Sequence, residues 1–150
     1  MERIDDLFER AVPYGIALWR ISLGVMLLAH SVLLKYFVFT LPGTAQFFVS
    51  IGLPGALAYV VFAMEAIGGM ALILGVGRSV VSAAIITVLL GATWTHAGIG
   101  WVFSNPNGGW EYPLYLSVLA AAQALLGAGA FALSGNRRRP ADALSVGLAA

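Results

Sequence analysis

The chain has 150 residues, of which 60% are hydrophobic and only 10% charged, and its net charge is +1. Soluble domains carry about 25% charged residues, so this chain holds too much apolar surface for water, and its solvent is the lipid bilayer. The net charge says nothing about nucleic acid, but the chain has no basic aromatic stripe of the kind a nucleic-acid binder needs, so none is expected as a partner; the absence of cysteine excludes disulfides, thiol redox chemistry, Cys-ligated zinc, iron–sulfur clusters and covalent c-type haem.

The N-terminal stretch MERIDDLFERAVPYG mixes acidic and basic residues and has no cleavable small-residue site, so it does not read as a signal peptide. Ile4, Leu7, Phe8, Ala11 and Val12 recur at helical spacing with charges on the other face. That pattern predicts a short amphipathic helix on the membrane surface, which Pro13 ends or from which Pro13 starts the next helix. Four apolar segments follow, over about 14–37, 55–76, 79–98 and 113–133. Each has roughly the 20 residues needed to span a bilayer. The predicted fold is all-α: an integral membrane four-helix bundle with the interfacial helix in front, one domain over 1–150, and a cytoplasmic tail over 134–150.

The connections carry their own signals. FTLPGTAQFFVSIGLP joins the first two spans; its prolines and glycines break an apolar, aromatic run, which predicts a partly helical loop pressed into the interface. GVGRS makes a tight hairpin between the second and third spans. GWVFSNPNGGWEYP, before the fourth, combines turn chemistry at Asn105-Pro106 and Asn107-Gly108-Gly109 with Trp101, Trp110 and Tyr112, residue types of the membrane–water boundary. Basic residues set the orientation. Arg3, Arg10, Arg78, Arg137, Arg138 and Arg139 fall on one side of a four-span chain and Lys35 on the other. The positive-inside rule then puts both termini in the cytoplasm, which makes the chain a multi-pass protein of the inner cell membrane.

Polar residues inside the spans carry the functional information. Glu65 sits midway along the second span, where an acidic residue costs roughly 2.5–3.5 kcal/mol to insert. It must face the bundle, protonated or paired, and Arg20 in the first span is the expected partner. That pair would be either a structural lock or a ligand- or proton-responsive carboxylate. Gly69, one turn from Glu65, lets another backbone approach or leaves room for a flat ligand. His30, Lys35, His96 and Glu111 come from three spans at one expected depth under the outer loops, and they form the second set of ligand or proton-site candidates. Each also has a plain explanation: snorkelling for Lys35, a helix N-terminus for Glu111, and loop carbonyls for His30 and His96. Gly69, Trp101, Trp110 and Tyr112 are the candidate pocket-lining residues. Ligand spacing for a metal is lacking, and Ser82 and Gln123 read as interhelical hydrogen bonds. No catalytic constellation is present.

The segments LWRISLGVMLLAHSVLLKY, GLP, MEAIGGMALILGVGRS, HAGIGW and NPNGGWEYPL, in that order, resemble the DoxX family of small four-helix bacterial membrane proteins. The resemblance covers about Leu18 to Leu133. Carried over position by position, the family's polar set falls on Arg20, His30, Lys35, Glu65, Arg78, His96 and Glu111; Ser31 departs from the glycine that many relatives have after the histidine. The resemblance implies kinship with subunits of thiosulfate- or quinol-linked respiratory complexes and with redox-stress assemblies at membranes. The expectation is therefore a non-catalytic accessory subunit that binds quinone or a similar lipophilic molecule. A membrane redox protein, the bilayer and a second copy of the chain are the expected partners. A scaffold without chemistry and a small proton-coupled permease are the alternatives.

Overall fold

The computed structural model describes residues 2–134, with the side chains of residues 2, 3 and 78 left aside. The tail expected over 134–150, with Arg137, Arg138 and Arg139, lies outside the described residues from 135 onward. Every regular element among the described residues is helical. Helix α1 (Glu2–Leu28) runs on into a π-helical stretch (Ala29–Val38). Short α2 (Leu41–Ser50) follows, then α3 (Ala56–Leu74), α4 (Arg78–His96) with one 3₁₀ turn (Ala97–Ile99), and α5 (Glu111–Leu126).

Three helical stretches are long and apolar enough to cross a membrane: Ile4–Val38, Ala56–Leu74 and Ser79–Ile99. The fourth expected span departs from the prediction. α5 has 16 residues, about 24 Å at 1.5 Å per residue, which is short of a hydrocarbon core of about 30 Å. The chain leaves the helix at Gly127 (φ 101°) and turns again at Gly129 (φ 68°), conformations that glycine adopts without a Cβ penalty. A four-span bundle is therefore not established. Three long helices and a shorter fourth enclose the core.

The separate N-terminal surface helix is also corrected. α1 passes through Pro13 without a break. Proline fixes a φ that suits a helix and removes only its own N–H. Residues 4–15 are exposed throughout, so the carbonyl left without that N–H faces the surroundings rather than the core. The partly helical connection expected before the second span forms as α2. Thr40 caps α2, its hydroxyl accepting from Gly43 N at 3.2 Å, and Pro42 occupies the first turn. Gly75 (φ 70°) and Gly77 (φ 62°) make the tight α3–α4 hairpin.

α3 packs between α1 and α4, and α5 lies along α4. Leu23 and Leu27 of α1, Leu72 of α3, Ile85 and Leu89 of α4, and Leu116 and Ala120 of α5 form one buried cluster. Leu18, Ile67, Val80 and Leu125 are at least 69% exposed, as side chains facing lipid should be. Lipid tails are as apolar as leucine, so close packing and interhelical hydrogen bonds hold such helices together. α1 and α3 come close at Gly24 and Gly69. A Cβ on Gly24 would lie 2.7 Å from Gly69 O, and one on Gly69 would lie 2.9 Å from Gly24 O. Only two glycines permit that contact, and it sets the α1–α3 register.

Candidate functional site

α1 and α3 are antiparallel neighbours, and the glycine contact tells which residues face each other. Four residues onward from Gly24 is Leu28, and four back from Gly69 is Glu65. Glu65 is thus level with the end of regular α1, at the start of the π stretch. In that stretch bonds run five residues back, as in Phe39 N to Leu34 O at 2.8 Å. The wider winding changes the face that later residues present; such insertions are rare and recur at functional sites.

Lys35 lies in this stretch. Helical side chains lean toward the N-terminus of their helix, so its stem runs back along α1 toward the level of Glu65. Lys35 Nζ donates to Glu65 Oε2 at 2.5 Å. The pair is nearly enclosed, the glutamate side chain 8% and the lysine side chain 17% exposed. Glu65 is the central residue of the 19-residue α3, so the ion pair sits at the depth where an unpaired charge is costliest. Instead of snorkelling outward, Lys35 turns inward.

The expected Arg20–Glu65 pair does not form. Arg20 is 2% exposed, and its partners are backbone carbonyls. Its Nε donates to Ala128 O at 2.9 Å, Nη2 to Ala130 O at 3.1 Å, and Nη1 to Ile73 O at 2.7 Å and also to Leu72 O. The last carbonyls of a helix lack their usual donor four residues on; Ile73 is in that position at the end of α3, and Leu72 O, which accepts from Gly75 N at 3.0 Å, takes Arg20 as a second donor. A planar guanidinium with five fixed donors can answer several carbonyls at once, which an ammonium cannot do in the same way. Arg20 thereby holds the strap 127–134, which also bonds through Ala130 N to Pro13 O at 2.8 Å and Leu133 N to Leu74 O at 2.9 Å, and through Ser134 Oγ to Gly75 O at 2.5 Å.

The other polar residues are dispersed. His30 Nδ1 donates to Met26 O at 3.0 Å, and its ring stacks on Tyr112 with centroids 6.1 Å apart. Since a carbonyl can only accept, Nδ1 carries the proton, and Nε2 of the neutral ring is an acceptor. His96 has the same tautomer, Nδ1 donating to Ala92 O at 2.8 Å, and its ring faces Gly108. Glu111 Oε1 accepts from Phe103 N at 2.9 Å, tying the loop 100–110 to the start of α5. Trp101 and Trp110 meet edge to face at 4.4 Å. Among the described residues no hydrogen bond links the four residues expected under the outer loops to one another: Lys35 pairs with Glu65, His30 stacks on Tyr112, His96 bonds its own helix, and Glu111 bonds the loop 100–110. Among the described residues, no three histidines or carboxylates lie together as a metal site would need.

Of the expected pocket-lining residues, Trp101 and Tyr112 line an outward groove of about 430 Å³ with Glu111 and Tyr115. Trp110 instead packs on Trp101, and Gly69 lies against Gly24, Leu27 and Leu28. A second groove, of about 340 Å³, runs between α1 and α5 past Trp19, Met26, Tyr115 and Leu119. Reasoning from sequence missed Gly24 and the Arg20 strap. Gly24 carried a signal, a small residue inside an apolar span; the carbonyls that Arg20 binds are written in no side chain.

Comparison with known proteins adds lineage to this geometry. A model of the DoxX family matches residues 15–98, a range that holds Arg20, His30, Lys35, Glu65, Gly69 and His96 but ends before Trp101, Trp110, Glu111 and Tyr112. A Bacillus subtilis (strain 168) protein named "Putative oxidoreductase CatD" is 38% identical over 87 residues, covering 58% of this chain and 63% of the relative. The chain thus matches less than two thirds of that relative's length. No solved structure matches.

Proposed function

We propose that this chain, which belongs to the DoxX family, is a membrane accessory subunit of an oxidoreductase system and that it binds a quinone or similar lipophilic carrier beside Lys35 and Glu65. The observation that carries this reading is the Lys35–Glu65 pair itself, an ion pair at mid-membrane depth whose lysine keeps some exposure. Intramembrane ionisable pairs cost free energy and mark ligand or proton sites. The relative named as an oxidoreductase supplies the chemical direction.

Lys35 and Glu65 carry the hydrogen-bonding groups such a ligand needs, and neither lines the two grooves described above. Quinones, when bound, supply two-electron, two-proton redox chemistry. Lys35 Nζ has three donors, and one is committed to Glu65, leaving others for a carbonyl oxygen. Glu65 accepts a proton when that pair opens. Electrons come from a partner oxidoreductase. On this reading the chain lies in the inner cell membrane with both termini cytoplasmic, which the basic residues on that side favour.

A scaffold role is the second reading, favoured by Arg20, whose contacts go to backbone alone. Against a proton-coupled permease weighs the packed layer of Leu23, Leu27, Leu72 and Ile85, each at most 4% exposed, between the Glu65 level and the Arg20 level. Gentle extraction tests the proposal. A redox protein and a quinone should copurify with the wild-type chain, and phospholipid alone would contradict it.

A further inference from the structure

Two buried polar atoms, one on α4 and one on α5, find no partner among the described residues: Ser82 Oγ and Gln123 Oε1. Ser82 is 2% and Gln123 1% exposed. Gln123 Nε2 donates to Gly127 O at 2.6 Å. A carbonyl can only accept, so this bond fixes which end of the amide is nitrogen and leaves Oε1 as a pure acceptor. Ser82 differs from Thr87, Thr93 and Thr95 on the same helix. Their hydroxyls turn back to the carbonyl four residues earlier, at 3.0, 2.8 and 2.9 Å. The Ser82 hydroxyl has made no such bond, and its proton is free to donate.

The register of the two helices sets Ser82 and Gln123 at one level. In the antiparallel α4–α5 pair, Leu89 and Leu116, then Ile85 and Ala120, join the same core cluster. Three residues further along each helix are Ser82 and Gln123. A free donor and a free acceptor therefore stand on facing helices, one layer beyond Ile85 and Ala120. Buried polar groups without protein partners are uncommon in native structures, and a buried water with two or more polar partners is the usual answer.

We propose that a single water molecule is bound between Ser82 and Gln123, accepting from Ser82 Oγ and donating to Gln123 Oε1. Gln123 passes the connection to Gly127 O, and the next carbonyl, Ala128 O, is held by Arg20. The water thus ties α4 to the strap that Arg20 fastens across the ends of α1 and α3. It does not depend on the quinone reading.

A structure of the full chain in lipid, at a resolution that shows ordered water, is the test. Density within hydrogen-bonding distance of both Ser82 Oγ and Gln123 Oε1 is expected; a direct Ser82–Gln123 bond, or a dry gap, would overturn the proposal. A thermal-unfolding cycle gives the answer in solution. Ser82→Ala and Gln123→Met should each lower the midpoint, and the double variant should lose less than the two shifts added together. Each single variant should also speed amide exchange over 127–134. Additive shifts with unchanged exchange would sink the idea.

Discussion

Lys35 Nζ and Glu65 Oε2 meet at 2.5 Å across the α1–α3 seam, a contact that needs both the glycine register and the π winding of α1. Each charge is tolerable at that depth because the other is present. Removing one partner of a buried pair strands the other, at a cost of about 3–5 kcal/mol, whereas replacing both with apolar residues is close to neutral. Glu65→Gln and Lys35→Met should each lower the unfolding midpoint in detergent or nanodiscs, and Lys35→Met with Glu65→Leu should recover most of the loss. A double variant that loses the sum of the two single losses would show that the pair is not coupled.

Gly24 and Gly69 should resist any side chain. A Cβ at either position would approach the facing carbonyl within 2.9 Å or less, and overpacking a core costs about 1–3 kcal/mol. Gly69→Val should destabilise the fold and also weaken the Lys35–Glu65 contact by changing the register. Gly91, whose Cβ would meet nothing within 4 Å, is the control, and Gly91→Ala should leave the midpoint unchanged or raise it.

Arg20 should not tolerate lysine. Hydrogen bonds to a charged group contribute about 1.5–3 kcal/mol each, and a point-like ammonium cannot span the carbonyls of Leu72, Ile73, Ala128 and Ala130 together. Arg20→Lys should therefore release the strap. Hydrogen exchange over 127–134 is the measurement, with faster exchange there and little change near Gly100–Trp110.

Glu111 should matter for the loop rather than for the ion pair. Its carboxylate accepts from Phe103 N and lies at the positive end of α5, so Glu111→Ala should cost about 1–2 kcal/mol. Near-ultraviolet circular dichroism should show the Trp101–Trp110 contact loosening, while stability gained from Lys35 and Glu65 stays intact.

The membrane setting and the helical class were legible in the sequence because the bilayer imposes a length and a polarity that residue types record directly. Glu65 was correctly read as facing the bundle, since no other direction was affordable. Its partner is Lys35 rather than Arg20 because the π winding of Ala29–Val38 is not marked by residue type, and because a position at the end of a span does not show how far a lysine reaches back. Arg20 was misread for a different reason: backbone carbonyls at helix ends are strong acceptors that side-chain patterns do not display. The fourth span was overestimated because Gly127 and Gly129 sit in an alanine-rich, apolar context that hydropathy alone cannot divide.

Quinone titration of the chain in nanodiscs, for the wild type and the fold-preserving Lys35→Met/Glu65→Leu variant, tests the central claim most directly. With tryptophan fluorescence as the signal, the wild type should saturate and the double variant should bind at least about tenfold more weakly, a loss of about 1.4 kcal/mol. A wild-type chain that does not bind, or a double variant that binds equally well, would contradict the account.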